Sequence, residues 1–214
     1  MKVAGVVFDC DGVLADSDEA WHAVEVEFCA RHGVDRSSLD IDTHGLSMVD
    51  SVAVLMAGRP DVDASKVTPE FIDLAETLVP RRVRSLPGAR EAVAGWQRIA
   101  PVAVASNSPR TVLTAVLDAI DVGGLLATSV AADEVSSPKP APDVYLEACA
   151  RLGVDPDQVL VFEDSVAGAL AAFAAGCHVI QVEARGSAPI PGVLAMVGTR
   201  QMGPVQTMGQ LALN

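Results

Sequence analysis

The sequence predicts an α/β protein, a doubly wound parallel sheet broken after its first strand by an all-helical insert. Three observations carry this expectation. Short apolar runs rich in valine, such as Val6-Val7-Phe8, Val102-Ala103-Val104-Ala105 and Val159-Leu160-Val161-Phe162, alternate with stretches of helical periodicity, the pattern of parallel strands joined by right-handed crossovers. Residues 17–83 carry helical patterns but no convincing strand. Polar residues collect where the apolar runs stop, the edge at which open parallel sheets bind ligands. The expected division is a Rossmann-like core of residues 1–16 and 84–214 and a helical cap of residues 17–83.

In order, residues 3–9 form a buried strand that stops at Asp9-Cys10-Asp11-Gly12. Asp16-Ser17-Asp18-Glu19 reads as a helix start, with a capping side chain and acids in the first turn. Trp21, Val24 and Phe28 then recur at helical spacing up to a stop at Gly33. A second helical piece is expected over residues 49–56. A third runs from Thr68-Pro69 to about residue 82, with Thr68 as cap and Pro69 at the first helical position; Ile72, Ala75, Val79 and Val83 form its apolar stripe. Beyond Leu86-Pro87-Gly88, helices over residues 89–98, 108–120, 142–151 and 165–175 alternate with strands over residues 101–106, 127–130, 159–163 and 178–182, and Gly153 and Gly176 end two of the helices. From Glu183 the sequence loosens into Gly, Pro and Ser, with a short edge strand at 195–197 and a terminal helix over 204–213.

The chain has 214 residues, half of them hydrophobic, enough for one core with an insertion and too apolar for disorder. A net charge of -13 excludes a nucleic-acid partner, which needs a basic stripe. The basic cluster Arg81-Arg82-Val83-Arg84 reads as a solvated helix end. No apolar run is long enough to span a bilayer, so no membrane partner is expected. A cleavable leader would remove the acidic strand end it precedes, which points to a cytoplasmic location. Cys10, Cys29, Cys149 and Cys177 show no paired metal spacing and are expected to be reduced. Strand alternation turns Cys10 away from its two flanking aspartates, into packing. A monomer is expected.

The strand ends deliver Asp9 and Asp11, then Ser106 and Asn107, then Glu163 and Asp164, while Pro138-Lys139-Pro140-Ala141-Pro142 holds a lysine in a stiff loop. Singly, each has an ordinary reading as a turn, a helix cap or a solvated charge. Together they place a set of polar groups on one edge of one sheet.

The segments Phe8-Asp9-Cys10-Asp11-Gly12-Val13-Leu14-Ala15-Asp16-Ser17, Ala105-Ser106-Asn107-Ser108, Lys139-Pro140-Ala141-Pro142-Asp143-Val144-Tyr145 and Phe162-Glu163-Asp164-Ser165-Val166-Ala167-Gly168 resemble the haloacid dehalogenase superfamily, in its beta-phosphoglucomutase-like branch of small phosphatases and mutases with a helical cap. The resemblance implies that Asp9 is a nucleophile forming an aspartyl-phosphate and Asp11 a general acid and base. It places Mg2+ on Asp9, the main-chain carbonyl of Asp11 and Asp164, with Glu163 in support through water. Lys139, Ser106 and the amide of Asn107 would hold phosphate oxygens, and Gly168 would allow close helix-to-strand approach. Asp11 argues against dehalogenases and phosphonate-cleaving relatives, which lack an acid at that position.

Within the cap, His44 and Ser47 are candidate substrate contacts. Trp21, where many relatives carry histidine, reads as cap packing. Met48 falls where the related mutases carry a phosphate-binding arginine, which favours a phosphatase. The expectation is a Mg2+-dependent phosphatase for a small phosphorylated metabolite, a sugar phosphate. The alternatives are a hexose phosphate mutase and a non-enzymatic phospho-acceptor, against which the cap and Asp11 argue.

Overall fold

A computed structural model describes residues 3–183 and 188–213 of the chain. Residues 1–2 and 214, at the ends of the expected core, and residues 184–187, on which part of the expected loosening after Glu183 falls, lie outside the described residues. In chain order the elements are β1 (Gly5–Phe8), β2 (Ala15–Asp16), α1 (Asp18–Arg31), α2 (Met48–Leu55), α3 (Ala64–Arg82), β3 (Arg84–Ser85), α4 (Ala89–Gln97), β4 (Val102–Ala105), α5 (Arg110–Ala119), β5 (Thr128–Val130), α6 (Asp143–Leu152), β6 (Val159–Glu163), α7 (Val166–Ala175), β7 (His178–Val182), β8 (Ala195–Val197) and α8 (Pro204–Leu213).

Six strands make one parallel sheet in the order β5-β4-β1-β6-β7-β8. The valine-rich runs explain both its faces. Because successive side chains alternate, Val6, Phe8, Val104 and Phe162 enter one buried cluster, while Val7, Ala103, Ala105 and Val161 enter the other. Each buried Val, Leu or Phe contributes roughly 1.5–3 kcal/mol relative to exposure. Phe8 and Phe162 stack with ring centroids 4.7 Å apart, which locks β1 to β6, the two central strands whose ends carry the acids. Trp96 is buried in the same layer, and its Nε1 donates to the Met202 carbonyl at 2.7 Å, fastening the C-terminal segment beneath α4.

Of the three helices between β2 and β3, α1 and α3 pack through Phe28 and Phe71, edge to face at 5.2 Å, and α2 packs on α3. Two details differ from the sequence expectation. First, α3 begins at Ala64, where the Asp63 side chain accepts from Ser65 N as N-cap. Thr68 is already inside the helix, its hydroxyl donating back to the Ala64 carbonyl, and Pro69 lies within the helix. Second, Ser17 precedes α1 but does not cap it with its side chain. At the neck, β2 and β3 pair antiparallel, Ala15 with Ser85 and Asp16 with Arg84, so the chain enters and leaves the helical insert side by side. Buried Glu25 binds Arg36 at 2.6 Å and also the Thr43 hydroxyl, pinning the loop that leads to His44. Among the described residues, no helix is long and apolar enough to cross a membrane.

Candidate active site

The carboxyl ends of β1, β4 and β6 and the loop before α6 converge, as parallel strands require. Lys139 is the hub. Its Nζ donates to Asp9 Oδ1 at 2.5 Å and to Glu163 Oε1 at 2.7 Å, and it lies 5.0 Å from the centre of the Tyr145 ring. Burial alone would push the ammonium down, but the two carboxylates hold it above the ordinary lysine range, so it stays charged. Asn107 positions the loop: its Oδ1 accepts from Lys139 N at 2.8 Å and its Nδ2 donates to Lys139 O at 3.1 Å. The same Nδ2 reaches the Gly45 carbonyl of the insert at 3.1 Å.

Asp9, Glu163 and Asp164 are buried and bring ligand oxygens within 4.8 Å of one another. Burial pushes the Asp9 carboxyl well above the usual range, and Lys139 pulls it down only in part. Both Glu163 oxygens are already engaged: Oε1 accepts from Lys139 and from Tyr145 OH at 2.9 Å, and Oε2 accepts from Ser165 N at 2.9 Å and Ser165 Oγ at 3.0 Å. Those donors keep its pKa below the usual glutamate value despite burial. Asp164 differs: among the described residues its buried Oδ1 accepts no hydrogen bond, and Oδ2 meets an ion-pair partner from the insert. Burial raises its pKa; His44 Nε2, 3.2 Å from Oδ2, forms an ion pair with it. A buried carboxylate with an open oxygen beside two others suits a hard cation with oxygen ligands. Gly12 makes room for it: at φ 76°, a Cβ there would stand 1.8 Å from Asp164 Oδ2. Gly168 serves Glu163 likewise, since its Cβ would stand 1.6 Å from Oε1.

Asp11 sits apart from this cluster in a ring of donors. Ser17 Oγ donates to Oδ1 at 2.5 Å, Trp21 Nε1 to the same oxygen at 2.9 Å, and Ser108 Oγ to Oδ2 at 3.2 Å. The indole of Trp21 therefore does more than pack, and Ser17 spends its hydroxyl on Asp11 in place of the helix end. Ser106 Oγ accepts from Ser108 N at 3.0 Å, which leaves its proton available to a ligand. Ser47 is used locally: it caps α2 by accepting from Asp50 N at 3.2 Å and donates to Asp50 Oδ2 at 2.7 Å. Cys10 is buried in the core, and burial raises its thiol pKa well above the free value.

Residues 3–176 match the family model of the haloacid dehalogenase-like hydrolases. The chain belongs to that family. Among haloacid dehalogenase-like hydrolases of known activity, it is 34% identical over 194 residues to hexitol phosphatase A of Escherichia coli, covering 88% of this chain and 87% of the relative. It is 36% identical over 189 residues to hexitol phosphatase B of the same organism, covering 86% and 85%. The fold is shared with the crystal structure of CbbY from Rhodobacter sphaeroides in complex with xylulose-(1,5)bisphosphate, at a TM-score of 0.82, 21% identity and coverage of 95% of this chain and 98% of that one.

Sequence reasoning missed Tyr145, Ser108 and the Asn107 side chain within this family site. Tyr145 and Ser108 lie inside segments that carry the resemblance, and Asn107 directly follows Ser106. Their side-chain partners, however, come from distant parts of the chain and have no local signature.

Proposed function

We propose that the chain is a Mg2+-dependent phosphatase that hydrolyses a small phosphorylated metabolite, a sugar or sugar-alcohol phosphate, through an aspartyl-phosphate on Asp9. The observation that carries this reading is the division of labour between two aspartates one residue apart: Asp9 lies against Lys139 and the acidic cluster, while Asp11 is held separately by Ser17, Trp21 and Ser108. The hexitol phosphatase relatives support the substrate class. The fructose-1-phosphate phosphatase of Escherichia coli, 28% identical over 185 residues, supports it as well.

In this mechanism the Asp9 carboxylate attacks phosphorus as the bond to the leaving oxygen breaks, and Asp11 protonates that oxygen. Trp21 can only donate, so it fixes Oδ1 as an acceptor and leaves the mobile proton to Oδ2. Water then attacks the phosphorus of the acyl phosphate, Asp11 takes its proton, and inorganic phosphate leaves with Asp9 restored. Lys139, the Ser106 hydroxyl and the Asn107 amide hold the non-bridging oxygens. Asp9, the Asp11 main-chain carbonyl and Asp164 would hold the Mg2+, which supplies positive charge to the phosphoryl group and helps keep Asp9 ionised. Residues 17–83 act as the cap that excludes bulk water, with His44 facing the site and Met48 bringing no charge for a second phosphate.

The test is phosphate release from a panel of hexitol, hexose and pentose phosphates, with and without Mg2+, for the wild type and Asp9→Asn. Mg2+-dependent release from a sugar or hexitol phosphate, abolished by Asp9→Asn, is expected. Undiminished release by Asp9→Asn overturns the nucleophile assignment. Isomerisation of glucose 1-phosphate without release of phosphate would replace the phosphatase with a mutase.

A further inference from the structure

A second pair of reactive groups lies at the opposite edge of the sheet from the acids. The Sγ atoms of Cys149 and Cys177 are 3.8 Å apart, although the residues are 28 positions apart in sequence. Both are free and buried. Local geometry sets each one. Cys149 lies in the last turn of α6, which ends at Gly153 with φ 67°, and Val154 N folds back to the Cys149 carbonyl. Cys177 follows Gly176, which has φ 88° and closes α7, and Cys177 N returns to the Ala172 carbonyl. Two left-handed helix ends thus bring the thiols face to face.

We propose that Cys149 and Cys177 are a dithiol that a hydroperoxide converts reversibly to a disulfide, stapling α6 to the amino end of β7. The Sγ atoms, 3.8 Å apart, would close to a bond of about 2.05 Å on oxidation. The two residues are not equivalent. The thiol–thiol hydrogen bond holds Cys149 below the ordinary thiol range and Cys177 above it, so Cys149 is the first nucleophile. Its thiolate attacks one peroxide oxygen, the O–O bond breaks, and Cys149 becomes a sulfenic acid. The other oxygen leaves as hydroxide (alkoxide from an alkyl hydroperoxide) and takes up the proton that the Cys149 thiol released. Cys177 sulfur then attacks Cys149 sulfur, the S–O bond breaks, and the hydroxyl leaves as water with the Cys177 proton. With hydrogen peroxide the sum is two thiols plus one peroxide giving one disulfide and two waters, the sulfurs oxidised and the peroxide reduced.

Exposures of 2% for Cys149 and 6% for Cys177 favour a water-sized oxidant over a bulky disulfide such as oxidised glutathione. Cys10 and Cys29 are buried, and burial raises their thiol pKa values, so oxidation should select two of the four thiols. The site is independent of the phosphatase reading. It also bears on the same helix: Tyr145, which binds Glu163, lies one turn before Cys149 on one face of α6.

The test treats reduced wild-type protein with a few equivalents of hydrogen peroxide, quenches with catalase, alkylates under denaturing conditions and maps peptides by mass. The expected result is a linked Cys149–Cys177 peptide, two alkylatable thiols instead of four, and full reversal by dithiothreitol. In Cys177→Ser the same treatment should leave a dimedone-reactive sulfenic acid on Cys149. Four intact thiols after peroxide overturn the proposal, as does oxidation of Cys149 and Cys177 without a linked peptide. If the variant fails to fold, the wild-type peptide map alone decides.

Discussion

The indole Nε1 of Trp21, on the first helix of the insert, lies 2.9 Å from Oδ1 of Asp11 at the end of the first strand. Trp21→Phe keeps most of the packing and removes this donor. The expected outcome is a fall in kcat of about tenfold on a sugar phosphate with KM little changed, since losing a hydrogen bond to a charged group costs about 1.5 kcal/mol or more. The loss should be smaller on p-nitrophenyl phosphate, whose leaving group needs no proton. Steady-state kinetics on both substrates check this: equal losses would put the effect in the water-attack step that both share, and an unchanged kcat on the sugar phosphate would place Trp21 in packing alone.

Asp11→Asn extends the same argument. Turnover of an alkyl phosphate should drop by about 10²–10⁴, the usual range for a positioned general acid, while Mg2+ affinity by calorimetry should change little, because the main-chain carbonyl is retained. A parallel loss of metal affinity would mean that the side chain is structural.

Asn107→Ala removes both hydrogen bonds that hold the backbone of Lys139 and the one to Gly45. Because these groups are buried, a destabilisation of about 1–3 kcal/mol is expected in denaturant unfolding. A rise in KM should accompany it as the lysine loop loses its position.

Gly12→Ala and Gly168→Ala separate Glu163, the last residue of β6, from Asp164, which follows it. The first drives a methyl into Asp164 and the second into Glu163. Gly12→Ala should weaken Mg2+ binding by calorimetry more than it lowers stability. Gly168→Ala should do the reverse, costing about 1–3 kcal/mol in unfolding through overpacking.

His44 supplies a pH signature in the chelated protein. The Asp164 carboxylate beside it pushes its pKa up from 6.5 to about 9. A raised pKa gives stability that is complete below pH 6.5 and is lost as pH climbs through 9. The His44 side chain is 37% exposed, so screening limits the contribution to about 1 kcal/mol. In EDTA, His44→Gln should lower Tm by about 2–4 °C more at pH 6 than at pH 9.5; equal losses at both pH values would rule out the His44–Asp164 ion pair as a source of stability.

The strands were legible because each is a nearly continuous apolar run, and parallel order then forces their polar ends onto one edge. Asp9, Lys139, Glu163 and Asp164 meet there for that reason. What was not legible depended on choices between competing local bonds. Ser17 has the right place for a cap yet gives its proton to Asp11. Thr68-Pro69 has the pattern of a helix start, but Asp63 with Ser65 caps earlier, and a proline inside the helix gives no cue that distinguishes the two. Ser47 was legible as a polar residue near the site, but its hydroxyl closes a helix end. The two-residue strands β2 and β3 are too short for any periodic signal.

That ribbon has a practical consequence for engineering. Both chain crossings into the helical insert pass through one paired doorway, Ala15 with Ser85 and Asp16 with Arg84, so the insert can be exchanged as a cassette by cutting at two neighbouring points. Ser17 and Trp21 lie just inside the doorway, yet both serve Asp11 outside it. A transplanted insert therefore brings its own environment for Asp11, the proposed proton donor, and a graft that changes substrate preference is expected to keep its catalytic speed only if those two hydrogen-bond donors travel with it.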